Sequence, residues 1–116
     1  MFDPLSMMMF NYLSMAFNYE SRSVARFTKN DELIVDTCMV TDSAQPYETA
    51  VAHKAYGNGR WIVVEMYNSK EEALTGHNKW VSKMTAKELP ESLYDVSSAY
   101  ITTLISNDEW RTVSRR

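Results

Sequence analysis

The chain offers little to build catalytic chemistry from. It has one cysteine, two histidines, three glycines and three prolines in 116 residues. A lone Cys38 excludes an intramolecular disulfide and a four-cysteine zinc site. The glycines form no phosphate cradle: Gly57-Asn58-Gly59 lies between two strand-like runs, with no helix after it. There is no cationic excess either: 12 Lys and Arg stand against 15 Asp and Glu. A net charge of −3 and a pI near 5.3 argue against nucleic acid as the main ligand, and Arg111, Arg115 and Arg116 make too short a basic cluster to reverse that. There is no repeat, no low-complexity tract and no Gly/Ser-rich linker, so the length fits one ordinary domain with a real core.

Against this background the N-terminal stretch 4–19, PLSMMMFNYLSMAFNY, stands out. It holds no charged side chain and four of the eight methionines. Asp3 followed by Pro4 is a good helix start, because Asp can accept first-turn N–H groups and Pro needs no donor there. On a helical wheel Asn11, Ser14 and Asn18 share a narrow arc. Leu5, Met8, Met9, Phe10, Leu13, Phe17 and their neighbours cover more than half the circumference. A membrane span needs about 20 apolar residues, more than this run supplies. A leader would carry a positive start, whereas the only early charge is Asp3. The stretch therefore reads as a protein-contact helix. It either covers a face of its own sheet or docks on another subunit, where unbranched Met adapts to irregular surfaces.

The rest predicts an α+β domain, residues 20–116, behind a docking helix within 1–19. Val24–Phe27, Leu33–Val40, Tyr47–His53 and Trp61–Tyr67 read as strands, giving an antiparallel sheet of three to four strands. The run Tyr56-Gly-Asn-Gly predicts a tight connection between the last two. Asn68-Ser69 with Glu71 and Glu72 predicts the start of an amphipathic helix over 70–85, with Ala73, Leu74, His77, Trp80, Val81 and Met84 on its apolar face. Ser97 through Ile105 reads as a C-terminal helix, with an edge strand as the alternative. Trp110 and Val113 should fold back or meet a partner.

Strand faces carry a further expectation. Strict alternation puts Ile62, Val64 and Met66 on one face and Trp61, Val63, Glu65 and Tyr67 on the other. On 47–53 it separates Glu48, Ala50 and Ala52 from Tyr47, Thr49, Val51 and His53. Neither face is polar, so both should be covered: one by helix 70–85, the other by the N-terminal helix, another subunit, or both.

His53, Glu65, Tyr47 and Tyr67 form a possible polar cluster, the raw material of a general base. A hydrogen-bonded cross-strand pair in a covered sheet is the simpler reading, since no nucleophile accompanies them. His77 amid an apolar stripe reads as a hydrogen-bonded core histidine rather than a metal ligand. Gly76 beside it can permit close helix–sheet approach. Cys38 reads as a buried, inert thiol. No metal and no cofactor is expected.

Three runs carry a resemblance: DTCMVTDSAQPYETAVAH (36–53), WIVVEMYNSKEEALTGHNKWV (61–81) and MTAKELP (84–90). Over roughly residues 32–97 the chain resembles small proteins encoded by tailed bacteriophages and prophages, and its QPYET and GHNKWV patches are the most specific part. The resemblance implies a phage origin and a compact domain used as a module, and it assigns no catalytic residue. The expected function is a non-enzymatic virion component that docks on a capsid, head–tail or tail assembly through the N-terminal helix. Its partners would be copies of itself or phage structural proteins, its location the virion, assembled in the host cytoplasm. A phage inhibitor of a host enzyme or defence complex is the alternative, and a small ligand-binding or enzymatic domain the third.

Overall fold

Alternating burial builds the sheet. In a computed structural model that describes residues 22–41, 43–97 and 109–116, the strand β2 (Leu33–Met39) buries Leu33, Val35 and Thr37 and leaves Ile34, Asp36 and Cys38 half-buried. β1 (Ser23–Lys29), β2, β3 (Tyr47–His53) and β4 (Ile62–Tyr67) follow one another in space as in sequence, each antiparallel to the last. Short connections between consecutive elements favour this simple meander. The fold is α+β: a four-stranded antiparallel sheet with one described helix, α1 (Lys70–Thr85), across one face. The expected helices over 4–19 and 97–105 lie almost wholly outside the described residues; only Ser97, without helical structure, is inside.

β4 departs from strict alternation. Ala50 faces Val63 and Thr49 faces Glu65, so Val64 is an extra residue opposite no partner. Such a bulge reverses the side-chain parity beyond it. Ile62 and Tyr67, expected on opposite faces, therefore share the face of Tyr47, Thr49 and Val51. This face receives α1. The face bearing the small residues Ala50 and Ala52 is not the one α1 covers.

Helix α1 begins as its sequence suggests. Ser69 is the N-cap and accepts the Glu72 amide at 3.1 Å, while the Glu72 carboxylate accepts the Asn68 amide at 3.1 Å. Ala73, Gly76, His77 and Met84 are buried, with Trp80 and Val81 half-buried. Leu74, expected on the apolar face, is 42% exposed; the buried stripe runs instead through Ala73, Gly76, His77 and Met84.

The core joins Leu33, Val35, Val51, Tyr56, Ile62, Val64, Met84 and Leu93, with Phe27, Trp80, Val81, Leu89 and Val113 packed on it. Tyr56 is wholly buried and donates its hydroxyl to the Pro90 carbonyl, fixing the chain that leaves α1. The connection from β3 to β4 is longer than a two-residue hairpin. Gly57, Asn58 and Gly59 all take positive φ, the conformation their residue types suit best. Beyond Pro90, β5 (Ser92–Tyr94) pairs with β6 (Thr112–Ser114), placing Leu93 opposite Val113. Val113 thus does fold back, onto the core. Asp95 stands at the base of this hairpin: its Oδ1 accepts the Ser97 amide at 2.9 Å, Arg111 donates to the Asp95 and Ser97 carbonyls at 2.8 Å each, and Arg60 approaches its carboxylate at 3.8 Å.

Candidate functional site

A chain of polar side chains runs between α1 and the sheet. Thr37 on β2 and Thr49 on β3 face each other in register and are both fully buried. Threonine suits a strand and still brings a hydroxyl, so two such residues opposite each other put paired donors in the core. Their hydroxyls are 2.5 Å apart. Thr37 also meets His77 Nδ1 at 2.8 Å, and Thr49 meets the Tyr67 hydroxyl at 3.0 Å. Tyr67 donates to Glu65 Oε1 at 3.3 Å. The same oxygen accepts Trp80 Nε1 at 2.8 Å and pairs with Lys79 Nζ at 2.6 Å.

The protons in this chain can be counted. Each hydroxyl has one to give. Tyr67 gives its proton to Glu65, so Thr49 must donate to Tyr67, and Thr37 must donate to Thr49. The last bond then needs a donor on His77, which places the imidazole proton on Nδ1. The bonds run one way, from His77 to the Glu65 carboxylate.

Electrostatics agree with that polarity. Burial alone would raise Glu65, but its bonds from Lys79, Trp80 and Tyr67 outweigh it and hold the carboxyl below its usual range. Burial pushes Tyr67 up to about 12, against the lowering effect of its Thr49 bond. Burial lowers His77, with Asp36 acting weakly the other way. The network is thus an ionised carboxylate at the rim and a neutral imidazole inside.

Gly76 makes this geometry possible. A Cβ there would overlap the ring edge and hydroxyl of Tyr67. The helix backbone lies directly on the phenol, which is 5% exposed. The close approach anticipated at Gly76 is therefore made to one side chain.

The expected cluster is divided. Glu65 and Tyr67 bond each other, and Tyr47 lies opposite Tyr67 in register. His53 sits at the far end of β3, opposite Leu33. It is four residues from Thr49, roughly 13 Å along a strand. Its Nδ1 accepts the Ala55 amide at 2.9 Å and its ring packs edge-on to Tyr56. An open groove of about 680 Å³ lies beside Glu65, Tyr67, Gly76 and Lys79, with Glu71 and Glu72 at one end; neither His53 nor Tyr47 lines it. Spacing along the chain does not mark Thr37, Thr49, Trp80 and Lys79 as the partners of Glu65 and His77. The available signal was Glu65 itself, an acid in an apolar strand, with an indole N–H and a lysine waiting on the facing helix.

Cys38 is half-buried, and its thiol is pushed up to about 11 by burial and by nearby Asp36 and Glu48. Among the described residues no group of three His, Cys, Asp or Glu side chains could hold a metal ion. No described helix is long and apolar enough to cross a membrane. The six apolar residues singled out for partner contact, Leu5, Met8, Met9, Phe10, Leu13 and Phe17, lie outside the described residues. No protein-family model matches the chain, and neither a curated protein nor a solved structure does.

Proposed function

We propose that the protein is a small non-enzymatic component of a bacteriophage particle. Residues 4–19 dock on a capsid, head–tail or tail assembly, and the α+β domain is the rigid body they attach. The observation that supports this reading best is where the reactive side chains go. Glu65, Tyr67 and His77 bond to one another's neighbours across the helix–sheet interface, and His53 bonds to a turn amide. These groups tie elements together. The uncharged stretch 4–19 then carries the contact chemistry. Burying one Leu, Met or Phe side chain contributes about 1.5–3 kcal/mol, before the ordering costs of association are subtracted. Several of the six named residues together suffice to hold a subunit in place.

Deletion of residues 2–19 tests the reading. The variant should keep the circular dichroism of a folded α+β domain and fail to enter particles. Incorporation at the wild-type level would refute it.

A further inference from the structure

The two edges of the sheet are treated differently. At β4 the Val96 amide donates to the Val63 carbonyl at 2.8 Å, so the chain beyond α1 lies along that edge. β1 stands at the other end of the order β1-β2-β3-β4, and among the described residues no strand borders its outer side. Such an edge is a template for a further strand. We propose that β1 of a second copy of this chain pairs with it, antiparallel, about a twofold axis at Phe27.

The β1–β2 turn fixes which main-chain groups face outward. In antiparallel pairing the N–H and C=O of one residue point to the same side, and successive residues alternate. The Lys29 carbonyl accepts the Glu32 amide at 3.2 Å, which directs Lys29 toward β2. Register is unbroken from Ala25 to Lys29. Ala25, Phe27 and Lys29 therefore bond to β2, while Arg26 and Thr28 turn their N–H and C=O groups to the outer edge. The side chains of both are exposed. A bulge between Ser23 and Ala25 ends the regular edge on one side, and the turn at Asn30, with its positive φ, ends it on the other.

This edge complements itself in one register. Residues opposite each other across an antiparallel pair share a face, so a twofold axis must fall on a residue that meets its own copy. Centred on Phe27, the pairing uses the whole regular stretch: Arg26 meets Thr28, Ala25 meets Lys29, and Phe27 meets Phe27. The outward-turned Arg26 and Thr28 then exchange main-chain bonds, and no like charges stand opposite. Centred on Arg26, it would set two guanidinium groups face to face, which is destabilising. Centred on Ala25 or Thr28, it would run into the bulge or the Asn30 turn.

Phe27 explains what the pairing gains beyond backbone bonds. Its ring packs on the core beneath α1 yet stays half-buried, because β1 has no neighbour on that side among the described residues. In the dimer it occupies a non-hydrogen-bonded position, where opposing side chains come closest, and it meets the same ring of the second copy. The two sheets become one, with an α1 from each copy on the same face. This pairing joins copies of the chain to each other, and the docking of residues 4–19 concerns a particle; neither depends on the other.

Sedimentation equilibrium of the full chain, from about 10 μM to about 1 mM, reads the association expected of a small interface. Thr28 supplies the test, because its side chain is exposed and its amide faces the outer edge. Thr28→Glu sets a carboxylate opposite Arg26 of the second copy and should tighten the dimer about threefold or more, while Thr28→Lys should weaken it by a similar factor. Thr28→Pro removes an outward donor that β2 does not use, a substitution edge strands tolerate, and should weaken the dimer about tenfold or more. Should Thr28→Pro fail to fold, the two charge variants decide. In wild type the amides of Arg26 and Thr28 should exchange more slowly as concentration rises. A chain that stays monomeric throughout would overturn the proposal. So would a dimer indifferent to the charge at position 28, which would place the contact elsewhere. Protection of both amides at the lowest concentration would assign the edge to the chain's own residues and overturn it as well. Particle incorporation is scored separately, so either reading can fail alone.

Discussion

Replacing Gly76 with alanine should destabilise the domain, although alanine is the better helix former. The gain in helix propensity is about 1 kcal/mol. Against it, the new Cβ overlaps Cε1, Cζ and the hydroxyl of Tyr67, so the ring must move or α1 must lift. Overpacking of this kind costs about 1–3 kcal/mol. Moving the phenol also strains its bonds to Thr49 and Glu65, at about 1 kcal/mol each. The net loss is about 2–4 kcal/mol, or roughly 10–15 °C in Tm for a domain of this size. Urea and thermal unfolding followed by circular dichroism measure it. The reasoning also requires a change of sign. Leucine ends at Cδ, short of every Tyr67 atom in the overlap. In a Tyr67→Leu background, Gly76→Ala should therefore be neutral or stabilising by up to about 1 kcal/mol. A stabilising Gly76→Ala in the native background, or the same loss in both backgrounds, would show that the helix does not rest on Tyr67.

The hydrogen count places the His77 proton on Nδ1, which long-range ¹H–¹⁵N correlation spectra report directly; an Nε2–H tautomer would contradict the one-way chain. Burial lowers the His77 pKa in the folded state, so the unfolded chain binds more protons below about pH 6.5. Stability from this group is full above that pH and falls as pH drops toward the folded value; His77→Asn, which keeps a donor near Nδ1, should flatten that part of the stability–pH curve. Glu65, held below its usual range, adds a second loss at lower pH, which Lys79→Met should reduce. Tyr56→Phe removes the bond to the Pro90 carbonyl and should cost about 1–2 kcal/mol in urea unfolding, with no change in secondary structure.

The sheet was legible because its strands carry alternating or continuous β-branched runs between turn residues. Tyr47–His53 and the body of β4 read directly, as did the Ser69 cap of α1. The bulge at Val64 did not. Nothing local marks an extra residue in Ile62–Tyr67, and the bulge alone decides that Ile62 shares with Tyr67 the face that α1 covers. The β5–β6 hairpin was hidden for a different reason. Its three-residue strands are too short for periodicity to show, and pairing across the intervening segment is a tertiary fact. At the site, single residues were visible and their grouping was not. Glu65 and His77 stood out as polar residues in apolar settings. That two threonines and a tyrosine connect them depends on register and on Gly76, neither of which spacing along the chain reveals.

The central claim is that residues 4–19 attach a rigid domain to a particle. The most direct measurement is the copy number of the chain in purified particles by quantitative mass spectrometry, comparing wild type with the double variant Phe10→Glu and Phe17→Glu. Both changes put charge on one flank of the apolar arc and leave the described domain untouched. The account predicts a constant copy number for wild type and at least a tenfold drop for the variant, with the thermal unfolding of the domain preserved. Equal copy numbers, or no wild-type chain in the particles at all, would contradict it.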